Sequence, residues 1–262
     1  MIRQGISDVR NGLLHIDLPI ILSWHDVLQR YRRSALGPFW MTLSMGIMIG
    51  TIAAVFGGIF NVNLYEFLPF VTIGYILWAF FQAAMTDGCQ GFIVAEGIIK
   101  QLPLPLSVHV LRVVIRNGIA FLHNIVIVPI VFVLMGRPVS AIALLSLFGV
   151  ILFVLNLMWI TLLLSTICAR FRDLSQIITS SLQIVFYATP IMWMPSFIAN
   201  ENLTRLLKLN PLFHLIELVR APLMGAVPAP ESWLFSICFL LLGWALTLAF
   251  FGKFRKRVPY WV

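Results

Sequence analysis

Gln29-Arg30-Tyr31-Arg32-Arg33-Ser34-Ala35-Leu36-Gly37-Pro38-Phe39-Trp40 decides how the rest of the chain is read, because a cluster of arginines ends here and an uncharged run begins. No Asp, Glu, Lys or Arg occurs from Ser34 to Tyr65. About 20 apolar residues suffice to cross a hydrocarbon core of roughly 30 Å, so this run is long enough for a first membrane helix. Lys and Arg accumulate on the cytoplasmic flanks of spans, which predicts Arg30, Arg32 and Arg33 inside and residues 61–66 outside.

Composition agrees with that reading. Hydrophobic residues make up 60% of the 262 and charged residues only 11%, against about 25% charged in soluble domains. The mean hydropathy is +0.97. A net charge of +8 would suggest nucleic acid in a soluble chain, but here the basic residues sit at the ends of apolar runs, so no nucleic-acid partner is expected. No cleavable signal is expected either, since Arg3, Asp8, Arg10 and Asp17 precede an apolar run too long for a signal core. Cys89, Cys168 and Cys238 form no CxxC pair and read as small packing residues.

Uncharged runs recur at Ser34–Tyr65, Phe67–Thr86, Asn117–Gly136, Val139–Ala169, Leu174–Asn200 and Ser232–Gly252. They predict an all-α polytopic membrane protein, one permease-like domain over 1–262, with six spans at 36–60, 67–87, 114–135, 140–168, 174–194 and 232–252. With both termini inside, the cytoplasmic segments hold Arg3, Arg10, Arg30, Arg32, Arg33, Lys100, Arg112, Arg116, Arg170, Arg172, Lys253, Arg255, Lys256 and Arg257, which is 14 of 18 basic residues. Arg137, Arg205, Lys208 and Arg220 remain outside. The opposite orientation inverts the bias, so N-in and C-in is the expected topology.

Three segments are not plain spans. Residues 18–33 place Ile20, Ile21, Trp24, Val27, Leu28 and Tyr31 on one helical face and His25, Asp26, Gln29, Arg30, Arg32 and Arg33 on the other, a pattern that lies in the membrane interface. It serves either as an anchor or as a lever for a cytoplasmic partner. The inner loop predicts a short helix at 92–102, with Glu96 four residues before Lys100, that stops at Pro103 and Pro105. This helix is either a solvated surface element or a docking element. The outer segment 195–224 is rich in proline yet too apolar for a free loop, so short helices that dip into the bilayer are expected.

Catalytic signatures are missing: there is no HExxH, no nucleophile elbow and no Walker A loop, because Gly252-Lys253 lacks the preceding glycine of the phosphate cradle. Within the predicted spans His123 is the one ionisable side chain apart from those at their edges, and it reads as a packing residue rather than a proton relay. Gly46 and Gly50 form a GxxxG that permits close helix approach, within or between subunits. Aromatic residues crowd the region from Phe56 to Phe81. They read either as an interfacial belt or as the lining of a conduit for sugars, with Phe39, Trp40, Phe60, Tyr65, Tyr75 and Trp78 as the candidate path.

Taken in order, Arg30-Tyr31-Arg32-Arg33-Ser34-Ala35-Leu36-Gly37-Pro38-Phe39-Trp40, Gly97-Ile98-Ile99-Lys100-Gln101-Leu102-Pro103-Leu104-Pro105, Thr189-Pro190-Ile191 and Asn210-Pro211-Leu212-Phe213-His214-Leu215-Ile216-Glu217-Leu218-Val219-Arg220 resemble the ABC-2 type permeases that export O-antigen and capsule polysaccharides. Relatives often carry Asn-Ala-Gly-Leu-Ile and Phe-Pro where Val94 to Ile98 and Leu102-Pro103 stand here. The resemblance implies a homodimer in a bacterial inner membrane, working with two copies of a separate ATPase subunit that binds ATP and Mg, so that this chain is not an enzyme and holds no cofactor. It implies ATPase coupling through Trp24, Val27, Leu28, Glu96, Ile99 and Lys100. A substrate entrance is expected at Arg30, Arg32, Arg33, Leu36 and Gly37, where arginine can pair with the pyrophosphate of a lipid-linked polysaccharide. An outer gate is expected at Pro190, Asn210, Pro211, Glu217 and Arg220. A drug exporter of the same superfamily and a membrane enzyme acting on lipid-linked substrates are the rival readings, separable by the presence of neighbouring ATPase and glycosyltransferase genes.

Overall fold

The computed structural model describes residues 2–32, 37, 39–197 and 200–262; Arg33, Ser34, Ala35, Leu36 and Pro38, which fall within the expected entrance stretch, lie outside the described residues. Among the described residues every regular element is helical. In chain order they are α1 (Ile2–Leu14), α2 (Asp17–Tyr31), α3 (Phe39–Phe60), α4 (Leu64–Cys89), α5 (Glu96–Gln101), α6 (Ser107–Asn124), α7 (Ile127–Leu134), α8 (Leu145–Arg170), α9 (Leu174–Ala188), α10 (Glu201–Lys208), α11 (Pro211–Leu223), α12 (Pro230–Phe254) and α13 (Val258–Trp261). Short 3-10 turns at Ala141–Leu144, Pro195–Phe197 and Arg255–Arg257 complete the set.

Among the described residues five stretches are long and apolar enough to cross a membrane: α3, α4, α6 with α7, the helical run Ala141–Arg170, and Pro230–Trp261. The expected fifth span at 174–194 is shorter than that. α9 ends at Ala188 after 15 residues, roughly 22 Å at 1.5 Å per residue, because Thr189 turns extended and Pro190 follows. The third span also differs from its expected 114–135 bounds. It starts at Ser107 and breaks at residues 125–126, where Pro129 on the next turn lacks the N–H that would bind the carbonyl of Ile125. The sixth runs from Pro230 to Phe254 rather than 232–252 and the inner helix from Glu96 rather than residue 92; α3 runs from Phe39, and the expected start of the first span at residue 36 lies outside the described residues.

α4 is the centre of the bundle. In its most apolar window 67% of residues are buried, against 22% for α3 and for α12. Phe67, Phe70, Ile73, Leu77 and Phe80 of α4 pack against Phe121, Phe153 and Ile216 from three other helices. Close approach depends on glycines of α8 and α12: a Cβ on Gly149 would stand 2.4 Å from the Leu218 carbonyl oxygen, and one on Gly243 would stand 2.2 Å from the Trp159 ring. A Cβ on Gly46 or Gly50, the predicted GxxxG, would meet nothing within 4 Å outside its own helix among the described residues.

The N-terminal helix α1 was not anticipated from the sequence. It packs on the end of α12, where Gly5 faces the Leu248 carbonyl, and on the start of α6, where Gly12 faces Ser107. Asp8 is fully buried between them. Its carboxylate accepts hydrogen bonds from the Ser107 N–H at 2.9 Å and the Leu106 N–H at 3.3 Å, and pairs with Arg255 Nε at 2.5 Å. Orphan donors at a helix start are thereby satisfied by a carboxylate, a favourable placement for the helix dipole as well. Both chain ends therefore meet at one end of the bundle.

Candidate coupling face and outer gate

Helix α2 is amphipathic, but its polar face is not all turned to solvent. Asp26 lies against α6, where Arg112 donates to it through Nε at 2.7 Å and Nη2 at 2.5 Å. Arg116, one turn along, donates to Asp26 at 3.1 Å and to Asp87 of α4 at 2.8 Å. Asn117 adds a second donor to Asp87 at 3.0 Å. Burial disfavours the Asp26 charge, yet hydrogen bonds and charge from Arg112 and Arg116 outweigh it and hold the carboxyl below its ordinary value. The Ser23 hydroxyl sits between the carbonyls of Pro19 and Arg112, 3.0 Å from the latter, and is a further tie between the helices.

This network was missed in the sequence, where Arg112 and Arg116 counted only toward topology. Their spacing of four residues on a helix was the available signal. Beside the network, Asp87, Gln90, His109, Arg112 and Arg116 line a cavity of about 210 Å³ reaching the turn before α5.

With α2 pinned on one side, its other side is open. Trp24 is 53% exposed and Leu28 is similarly exposed, while Val27 is half-buried. On α5, Lys100 Nζ is 2.6 Å from Glu96, and this lowers the Glu96 pKa. Ile99 is turned inward onto the cluster of Phe92, Leu106 and Val110. Val94 is more exposed than any expected coupling residue, and it lies in the turn before α5 although it falls inside the expected 92–102 helix.

The expected entrance is only partly visible. Arg30 and Arg32 are exposed, Gly37 takes a φ of +53° that favours glycine, and Arg33 and Leu36 are outside the described residues. The six candidate path aromatics do not gather around one lumen within the chain. Phe39 is 80% exposed and Trp40 stands beside it at the start of α3, whereas Phe60 is at the far end of that helix. Tyr65 lies under the Arg137 guanidinium at 5.7 Å. Tyr75 and Trp78 pack on Phe186 of α9, and the Trp78 indole donates to Gln82 at 2.9 Å.

The expected outer residues do come together. Arg220 is 1% exposed, with its guanidinium carbon 3.8 Å from the centre of the Phe70 ring. It donates to the Pro190 carbonyl at 2.7 Å, and to Glu217 through Nη2 at 2.7 Å and Nε at 3.2 Å. Asn210 caps α11 by accepting from the Leu212 N–H at 3.0 Å, and donates to Thr189 at 2.8 Å. Pro211 occupies the first turn of α11, where its missing N–H is harmless. His214 is engaged at both nitrogens, by Lys208 O at 2.7 Å and Ser232 Oγ at 3.0 Å. The break after α9 is thus bolted to α11, and above the bolt an apolar groove of about 670 Å³ opens between Trp193, Leu203 and Leu206.

Comparison with known proteins bears on both faces. The profile of the ABC-2 type transporter family matches residues 20–224. An O-antigen export system permease protein RfbA of Klebsiella pneumoniae is 28% identical over 254 residues, covering 92% of this chain and 93% of the relative. A second protein of that name from Klebsiella pneumoniae is 28% identical over 205 residues, or 76% of this chain and 77% of its own length. One from Myxococcus xanthus is 26% identical over 215 residues, or 81% and 82%.

Proposed function

This chain belongs to the ABC-2 type transporter family, and from that premise we propose that it is the membrane subunit of an ATP-driven exporter of lipid-linked polysaccharide. It is a permease homologous to O-antigen export permeases along nearly its whole length, and that collinear similarity is the observation that carries the reading. The drug-exporter alternative is not favoured, because the relatives reported above are O-antigen export permeases. An enzyme on lipid-linked substrates is not favoured either, because the similarity is to transport components.

In this reading the chain pairs with a second copy and with two copies of an ABC ATPase in a bacterial inner membrane. Spans α3, α4, α6–α7, α8, α9 and α12 cross the bilayer, with α9 completed by the segment up to Met194. The meeting of α1 with Arg255 supports placing both ends on one side, which the basic-residue bias assigns to the cytoplasm. The ATPase docks on α5 and on Trp24 and Leu28 of α2. Asp26 passes its displacement to α4 and α6. The lipid pyrophosphate enters beside Arg30 and Arg32, and α10 with α11 closes the outer exit. Conformational work requires a partner whose affinity differs between two states, and ATP with Mg on that subunit supplies it.

A deletion strain decides the matter. Loss of surface polysaccharide, restored by this chain together with its ATPase and not by either alone, is the expected result. Intact surface glycan combined with new drug sensitivity would overturn the cargo assignment.

A further inference from the structure

A groove of about 460 Å³ runs between α1 and α12, on the opposite side of α1 from buried Asp8. Ile6, Val9, Leu13 and Leu14 form one wall, Trp244 and Leu248 the other, and Arg10 stands in the same lining. Ile6, Leu13 and Leu14 are exposed on a helix that abuts a membrane-spanning one, so an apolar medium is what they meet. Residues 3, 6, 10 and 13 fall on one helical face, so Arg3 and Arg10 flank the apolar strip. Arg10 is exposed and pairs with no carboxylate among the described residues, in contrast to Arg255, which Asp8 holds.

Depth separates the two kinds of lining. Trp244 precedes Lys253, the first charge at the end of α12, by nine residues, or roughly 13 Å along the helix. That is the level of acyl chains when Lys253 is at the headgroups. Arg10 belongs instead to the helix that packs on Leu248 and Gly252, close to the boundary. An apolar trough ending at a free guanidinium matches a lipid with a fatty chain and a net negative head.

We propose that this groove binds an anionic phospholipid, the acyl chain lying on Trp244 and Leu248 and the phosphate paired with Arg10. Such a lipid braces α1 against α12 and so supports the Asp8 tie that joins the chain ends to α6. The inference rests on the membrane embedding of α12 and is independent of the cargo, and its test uses neither the ATPase nor a polysaccharide.

The purified full chain is placed in vesicles of phosphatidylcholine containing equal fractions of either 6,7-dibromo phosphatidylglycerol or 6,7-dibromo phosphatidylcholine. Quenching specific to Trp244 is read as the difference from Trp244→Phe. One basic residue near a headgroup is worth ≈ 1 kcal/mol, so the anionic lipid should be preferred about fivefold. Arg10→Gln should remove the preference, and Arg10→Lys should keep most of it. Native mass spectrometry provides a second readout that needs no tryptophan change, with retained phosphatidylglycerol falling in Arg10→Gln. Equal quenching by the two lipids would mean ordinary solvation by the bilayer, and no quenching would mean that protein, such as a second copy, covers the face. Either outcome, or a preference that survives Arg10→Gln, overturns the proposal.

Discussion

Asp26 and Arg112 form a two-point pair, with each carboxylate oxygen taking one guanidinium N–H, at 2.7 and 2.5 Å. Fork-to-fork pairing of this kind fixes orientation as well as distance. Arg116 extends the pair to Asp87. Helix α2 is therefore tied to α6 and, through Arg116, to α4.

Asp26→Asn should leave insertion and protein level intact while export drops by about tenfold, the equivalent of a single charge-assisted bond of about 1.4 kcal/mol. ATP hydrolysis by the assembled complex should persist, because Trp24 and Leu28 stay on the surface. Arg112→Lys keeps the charge and loses the fork, and should fall between. Export equal to wild type in both variants, scored by surface polysaccharide, rules out a role for this tie in export.

Acid should test the same pair in a defined direction. The folded-state pKa of Asp26 is lowered, so its contribution is complete above the unfolded carboxylate value of about 3.9 and is lost only as pH falls through the lower folded value. Protease access to α2 should accordingly stay constant from neutral pH to about pH 4 and rise below it. In Asp26→Asn that rise should be absent, with access already higher at neutral pH. A transition near pH 6 in wild type would contradict the lowered pKa.

Much of this architecture is legible in the chain because bilayers impose a simple code of uncharged runs bounded by arginine. The i,i+4 pair of Glu96 and Lys100 is readable for a different reason, being local to one helix. The Asp26, Arg112, Arg116 and Asp87 network was not, since its members are far apart in sequence and each alone looks like a flank. Helix α1 escaped although Ile2, Ile6, Val9 and Leu13 recur at helical spacing, because the close packing of Gly5 and Gly12 on α12 and α6 that holds it in place is not legible in the sequence. The end of α9 at Ala188 follows from Thr189-Pro190, a signal present in the sequence but overridden there by the length of the uncharged run.

Glycine substitutions should sort by tertiary approach rather than by motif. Gly149→Ala drives a Cβ to 2.4 Å from the Leu218 carbonyl oxygen, and since backbone must move to relieve it, a loss of about 1–3 kcal/mol is expected. The added methyl of Gly46→Ala meets nothing within 4 Å outside its own helix among the described residues, and within one subunit the change should be neutral or stabilising, by up to about 1 kcal/mol from helix propensity. Melting in detergent measures both. If Gly46→Ala instead weakens assembly of two copies without lowering the melting of a single one, the GxxxG belongs to a contact between subunits.

Arg220 is the most demanding residue of the expected outer gate. It is buried to 1% exposure and held by Glu217, by the Pro190 carbonyl and by the Phe70 ring, whereas Glu217 keeps 29% of its surface. Removing the carboxylate strands a buried cation, which costs about 3–5 kcal/mol for a buried pair. Glu217→Gln should therefore lower stability more than Arg220→Met, because after the latter change Glu217 can rehydrate through its exposed edge. The double change Glu217→Gln with Arg220→Met should be less harmful than the sum of the two, and closer to Arg220→Met alone, as expected for groups that act as a unit. Arg220→Lys should retain charge but lose both the fork to Glu217 and the stacking on Phe70. Thermal melting of the four variants, alongside surface polysaccharide at matched protein level, separates a structural bolt from a gate. Stability restored in the double variant while export stays absent assigns Arg220 to the closing motion of α11, whereas export that tracks stability in every variant confines it to holding the fold.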